Sequence, residues 1–293
     1  MVAGAAVAWV GMELTVGDLA FTALADGPAG GEPVLLLHGF PEGARCWTAV
    51  LPLLAAAGLR AVAPDQRGYS PRARPAQTAA YGLDHLVADT LGTLDALGWA
   101  TAHLVGHDWG ALVAWVLAAR RPDRVRTLTV SSIPHPAAYG AALATDPVQQ
   151  RLSGYLQLFA VPGKAEEVLL ADGEARLRQF FDGSGMAPEE VDGYVAPLLA
   201  PGALTAALAW YRALRPADYA DVPPVAVPTT YLWGEHDLGV SPAAALGCAA
   251  HVDADFRFVP LAQGSHWLPE QLPDVVAAEV VRRATGGRQS SER

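Results

Sequence analysis

The sequence predicts an α/β fold: a mostly parallel, twisted sheet flanked by helices, with a helical insertion. Three observations predict it. Short β-rich runs alternate with helical patterns. Several of those runs are continuously apolar, as strands buried on both faces must be. One long stretch, between Ile133 and Thr229, carries helical patterns with no convincing strand and is too long to be a loop.

The elements follow in order. MELTV and LAFTALA suggest an opening hairpin around Gly17–Asp18. PVLLLH at 33–38 reads as the first buried parallel strand, LRAVAPD at 59–65 as the second and HLVGH at 103–107 as the third. RVRTLTV at 124–130, TTYLWG at 229–234 and FRFVP at 256–260 supply three more. In the helix expected over 83–97, Leu83, Leu86, Val87, Leu91 and Leu94 share one face at 3.6-residue spacing. GALVAWVLAAR at 110–120 is apolar almost all round, so that helix should be buried. The expected division is a core of residues 1–133 and 221–293, with residues 134–220 as a helical cap.

Composition narrows the function classes. The 20 Lys and Arg against 30 Asp and Glu give a net charge of −10, which argues against nucleic acid and basic membrane-surface helices. With 52% hydrophobic residues, whole-chain disorder is excluded. No apolar run is long enough for a transmembrane helix. The first residues, MVAGAAVAWVGMELTV, faintly suggest a signal peptide but lack a positive n-region, since the first basic residue is Arg45. They read as a ragged start, with Met12 an alternative initiator and the tail GGRQSSER frayed. Cys46 and Cys248 show no zinc-type spacing and read as buried thiols in a reducing, cytoplasmic compartment. High Ala and Arg content beside the single Lys164 suggests a GC-rich bacterial genome. A homodimer is carried as an expectation.

The chemistry is concentrated where the third buried strand ends. Gly106-His107-Asp108-Trp109-Gly110 runs straight into the apolar helix. It has the form of a nucleophile elbow, with Asp where esterases carry Ser. The turn is too tight for a Cβ on either side, hence the glycines. The elbow sets Asp108 above a helix N-terminus, whose positive end favours a carboxylate. An isolated Asp before a helix is more often just a cap. Flanking glycines and a preceding apolar strand turn the balance towards a nucleophile.

These residues resemble the α/β-hydrolase fold family, specifically its aspartate-nucleophile branch of epoxide hydrolases and haloalkane dehalogenases. His38-Gly39-Phe40-Pro41-Glu42 is similar to the HGFPE signature of epoxide hydrolases. The resemblance covers nearly the whole chain. It implies that the backbone N–H groups of Phe40 and Trp109 form an oxyanion hole, with His38 a structural hydrogen-bonding residue and Glu42 a loop or rim residue. Asp237, in Leu232-Trp233-Gly234-Glu235-His236-Asp237, stands in the slot of the orienting acid, with Glu235 the competitor. The site after the preceding strand reads Ser131-Ser132-Ile133 and offers no carboxylate. His266, in Gly264-Ser265-His266-Trp267, is the base implied. His85, His103 and His251 fit bland roles, and period two turns the His107 side chain away from the site.

An sp³ carbon bearing oxygen or halogen is opened well by a carboxylate, giving an alkyl ester. Water activated by neutral His266 would then cut that ester, and an unperturbed imidazole pKa near ~6.5 suits the task. An epoxide oxygen leaves as a basic alkoxide and needs an acid, for which a tyrosine, with a pKa of about 10, is suited. Tyr155, seven residues before Pro162-Gly163, resembles the first catalytic tyrosine of the epoxide hydrolase cap, and Tyr194, ahead of Trp210-Tyr211-Arg212, the second. Tyr139, Tyr211 and Tyr219 read as packing residues. The implied pocket lies between sheet and cap, walled by Trp109, Trp47, Phe159 and Trp267. The expected function is hydrolysis of a small apolar epoxide to a vicinal diol, a detoxifying reaction, with no metal or organic cofactor. A haloalkane or haloacid dehalogenase and a ligand-binding protein without turnover are the alternatives. Phe40 stands where one dehalogenase subgroup uses Asn to hold halide.

Overall fold

The computed structural model describes residues 10–286. The start before Val10 and nearly all of the tail expected to fray lie outside the described residues, whereas Met12 stands inside the first strand. Eight strands form one sheet: β1 (Val10–Val16), β2 (Leu19–Asp26), β3 (Glu32–Leu37), β4 (Leu59–Pro64), β5 (Ala102–His107), β6 (Val125–Ser131), β7 (Thr229–Gly234) and β8 (Phe256–Leu261). Their order is β1-β2-β4-β3-β5-β6-β7-β8. β1 and β2 form the antiparallel opening hairpin, turning at Gly17 with φ 57°. β2 joins β4 antiparallel, and every pairing from β4 to β8 is parallel.

Between strands run α1 (Leu51–Ala56), α2 (Leu83–Ala96) and α3 (Trp109–Arg120). α3 is buried at ten consecutive positions, Trp109 to Ala118, as its all-round apolar sequence requires. Between β6 and β7 the chain is helical: α4 (Pro136–Thr145), α5 (Pro147–Leu152), α6 (Tyr155–Phe159), α7 (Lys164–Arg178), α8 (Pro188–Leu198), α9 (Ala203–Ala213) and α10 (Ala217–Ala220). The core closes with α11 (Pro242–Gly247), α12 (Leu268–Gln271) and α13 (Pro273–Gly286). No single helix among the described residues is long and apolar enough to cross a membrane.

One strand departs from expectation. β5 and β7 are buried at every position, but β8 is only half covered. It is the sheet's edge, so Phe256 and Phe258 turn towards the core while Arg257 reaches out to the Glu279 carboxylate on α13. A short apolar run cannot by itself tell a central strand from an edge strand.

Parallel strands bring their carboxyl ends to one edge of the sheet. There β3 delivers His38-Gly39-Phe40, β5 delivers Asp108, β6 delivers Ser132, β7 delivers Asp237 and β8 leads to His266. Crevices outside these ends are where open α/β sheets bind ligands.

Candidate active site

Asp108 occupies a sharp turn between β5 and α3, with φ 50° and ψ −120°. Such a backbone costs of order 1–3 kcal/mol in a non-glycine residue and persists only where its surroundings enforce it. They do so through close approach. A Cβ on Gly106 would come within 2.7 Å of the Ala111 backbone, and one on Gly110 within 2.7 Å of the His38 carbonyl oxygen. The Asp108 side chain is therefore presented rather than folded back: it makes no capping hydrogen bond to α3. The Phe40 N–H donates to Asp108 Oδ1 at 2.8 Å. The Trp109 N–H belongs to the first residue of α3, where helical amides lack intrahelical partners.

His38 shapes the loop that carries Phe40. Its Nε2 accepts from the Gln66 N–H at 3.0 Å, so Nδ1 holds the proton that bonds the Gly39 carbonyl at 2.9 Å. Burial lowers its pKa, which keeps this tautomer neutral.

His266 faces the nucleophile. Its Nε2 lies 3.5 Å from Asp108 Oδ2, and its Nδ1 lies 3.0 Å from Asp237 Oδ1. Glu235 is exposed, so of the two sequence candidates Asp237 is the one brought to the imidazole. Asp237 Oδ2 accepts from the Ser132 hydroxyl at 2.7 Å, and Oδ1 from the Gly239 N–H at 2.8 Å. Ser132, in the left-handed region at φ 69°, also sits 2.8 Å from His266 Nδ1. The sequence marks this position only by the lack of a carboxylate, so its positioning part is new.

The surrounding charges act on His266. Burial disfavours the imidazolium, but the Asp237 and Asp108 carboxylates outweigh it and hold His266 at about 10. Burial likewise opposes the Asp237 charge, and His266 and Ser132 outweigh it, leaving that carboxyl below its ordinary value. The two carboxylates thus favour the imidazolium over the neutral base that a pKa near ~6.5 implies.

Over this edge lies a cavity of about 460 Å³, within the usual range for small-molecule sites. Asp108, His266, Tyr155, Phe159 and Trp267 line it as the sequence implies, and so do Phe40 and Tyr211. A smaller cavity of about 40 Å³ lies beside it. Tyr155 and Tyr211 come from α6 and α9, with ring centroids 6.1 Å apart. Burial pushes both phenols well above their ordinary pKa, so they stay protonated. α9 is tied down on either side of Tyr211. The Trp210 indole donates to the Arg67 carbonyl at 2.8 Å, and Arg212 forks onto both Glu166 oxygens at 2.9 Å.

Five residues stand elsewhere than the sequence implies. Tyr194 does not line the cavity: its hydroxyl donates to Glu270 Oε1 at 2.8 Å, and its ring stacks on Phe181, because α8 turns that face towards α12. Tyr211, read as packing, takes its place. Trp47 is fully buried on a 3₁₀ turn packed against β3 and β4 and walls no part of the cavity. Glu42 is no rim residue. It is buried, accepts from the Gly39 N–H at 3.2 Å, and lies against Glu270. Burial and Glu270 push its carboxyl up, and burial raises Glu270 to about 7. His107 does not point away: its ring meets that of His266 at 5.1 Å. Period two fails here because the chain leaves the strand at Asp108. Among the described residues no cluster of three His, Cys, Asp or Glu could hold a metal ion.

Residues 32–271 match the α/β hydrolase fold family. The chain is 33% identical to mouse (Mus musculus) epoxide hydrolase 4 over 267 residues, 88% of this chain and 74% of that protein. It is 30% identical to epoxide hydrolase A of Mycobacterium tuberculosis, over 89% and 92% of the two chains. Among solved structures it superposes on the Bacillus megaterium epoxide hydrolase, determined with an inhibitor, at a TM-score of 0.85, covering 94% of this chain and all of that one at 25% identity. The chain therefore belongs to the α/β-hydrolase fold family, in its epoxide hydrolase branch.

Proposed function

We propose that this protein hydrolyses apolar epoxides to vicinal diols through an ester formed on Asp108. The observation that carries the reading is the pairing of a presented carboxylate with two protonated phenols, Tyr155 and Tyr211, lining the same cavity. In the first half-reaction an Asp108 oxygen attacks a ring carbon and the carbon–oxygen bond of the ring breaks. The oxygen takes a proton from a phenol, leaving a hydroxyalkyl ester. In the second, water attacks the Asp108 carbonyl carbon while His266, oriented by Asp237, takes its proton. The Phe40 and Trp109 amides hold the oxyanion, where one donor is worth about 10²–10³ in rate. Collapse releases the diol and restores the carboxylate.

Loss of halide asks for free N–H donors rather than an acid. This cavity instead sets two protonated phenols, Tyr155 and Tyr211, beside Asp108, which favours an epoxide over a halide as the leaving group. A detoxifying role in a reducing bacterial cytoplasm is part of the proposal. Two free, buried cysteines, Cys46 and Cys248, support the compartment.

A single turnover in ¹⁸O water tests the mechanism. The first diol should carry unlabelled oxygen from Asp108, and the carboxylate should gain the label. Label in the first-turnover diol would refute the ester. Asp108→Ala should remain folded and form no diol.

A further inference from the structure

The two cavities share three lining residues and no others: Asp108, Tyr155 and Tyr211. These are the groups that must hold an epoxide, by its carbon on one side and its oxygen on the other. The ring therefore sits at a waist, and its two carbons face different spaces. One space is the large lobe of about 460 Å³, walled by apolar groups such as Phe159, Leu169 and Phe180. The other holds about 40 Å³ and is lined by Leu112, Ile133, Leu156 and Leu214. A water-sized site takes about 10–15 Å³ of such volume, so the small lobe accepts roughly three heavy atoms.

Resting on the hydrolase reading above, we infer that the site selects epoxides by how their substituents are distributed. It takes a ring with one long apolar arm and, on the other carbon, hydrogen or a group of one or two carbons. The large lobe drives binding by burying the long arm. The small lobe rejects a second long arm, because Leu112 is packed in the core behind it and Tyr139 is pinned to the Ser153 hydroxyl at 2.8 Å. Terminal, 2,3- and 3,4-epoxides are the substrate class, and internal epoxides with two long arms lie outside it.

Three isomers test this at constant size and hydrophobicity: 1,2-, 2,3- and 6,7-epoxydodecane, with diol formation followed as kcat/KM. The first two should fall within about tenfold of each other. The third, with five carbons on each side, should be slower by about a hundredfold or more, since a single misplaced methylene is worth about 10–200-fold. Leu214→Ala widens the small lobe at a partly exposed position, and Leu112→Ala widens it from the core side. Either should raise the ratio of 6,7- to 1,2-epoxide rates by about tenfold. Wild-type turnover of the 6,7-epoxide within tenfold of the 1,2-epoxide would overturn the inference, as would an unchanged ratio in both variants. A folded wild-type protein inert to all three isomers would bring down the hydrolase reading itself, a different and recognisable failure.

Discussion

Replacing Asp237 with Asn removes a charge while keeping the side chain's shape, which isolates what the carboxylate does. In the wild-type protein the imidazolium of His266 is held at about 10 against an ordinary ~6.5. At 1.36 kcal/mol per pH unit that gap is about 5 kcal/mol, and Asp237 is the largest of the groups that raise it. The Asn amide also offers its own donors to Nδ1. It favours the tautomer with the proton on Nε2, the atom that faces Asp108 at 3.5 Å and must accept the proton of water. In a serine-protease triad the equivalent change costs about 10⁴ in kcat through the wrong tautomer. Asp237→Asn should therefore slow ester hydrolysis by about 10³–10⁴, while alkylation of Asp108, weakened where His266 is neutral, still outruns it. Rapid mixing with an epoxide, followed by intact-mass measurement, should show the protein heavier by one substrate. Stability carries a second signature. His266 has a raised folded pKa, so its contribution is full below ~6.5 and is lost as pH rises through about 10. The depressed Asp237 carboxyl contributes above its ordinary value and loses that contribution as pH falls. The melting-temperature advantage of wild type over Asp237→Asn should be largest near pH 5–6.5 and close towards pH 10. Hydrolysis within tenfold of wild type, or loss of alkylation together with hydrolysis, would refute the assignment.

Tyr155→Phe and Tyr211→Phe should each slow alkylation by about 10², the worth of a positioned acid, in a stopped-flow burst, with ester hydrolysis changed far less. Tyr194→Phe loses its hydrogen bond to Glu270 and should cost about 1 kcal/mol in urea denaturation, with alkylation unchanged. Gly39→Ala would set a methyl carbon 2.7 Å from Asp108 Cγ, so the nucleophile must shift. Its kcat/KM should fall by about 10² or more, with the circular dichroism spectrum retained.

Much of the fold was legible because its signals are local. A continuous apolar run such as 103–107, a glycine-bracketed turn and an apolar helix each follow from neighbouring residues. The β8 edge was not, since its exposure depends on having no ninth strand beyond it among the described residues. The same division holds at the site. Asp108 and His266 lie on turns whose chemistry is written beside them, and Asp237 closes a strand. Which cap tyrosine reaches the ring depends on how helices rotate over the sheet. Tyr194 is buried and Tyr211 half-buried, both packing on aromatic rings, and what separates them is that Trp210 and Arg212 anchor α9 so that the residue between them faces inward. Glu42 and His107 were misplaced for a related reason. Their burial comes from Glu270 and His266, more than 150 residues further along the chain.

The charge on His266 orders the two half-reactions. With Asp108 ionised, two carboxylates hold the imidazolium at about 10, so resting His266 cannot serve as a base. Alkylation changes this, because the ester is neutral and one of the two carboxylates is gone. The same event leaves a phenolate on Tyr155 or Tyr211, in a site where burial penalises either and the remaining charge at Asp237 penalises the one on Tyr155 as well. A proton passed from His266 to that oxygen would relieve both conditions at once: the phenol would be restored and the imidazole would become the base that water needs. Hydrolysis would then begin only after the ester exists, and the free enzyme would not activate water against an empty site. The consequence is measurable in pre-steady-state kinetics. Alkylation should weaken as pH rises through about 10, where His266 loses its proton before the ring opens, whereas hydrolysis of an ester already formed should persist there. An alkylation rate indifferent to pH between 8 and 10.5, with hydrolysis failing first, would reverse this order and return His266 to the part of a simple neutral base.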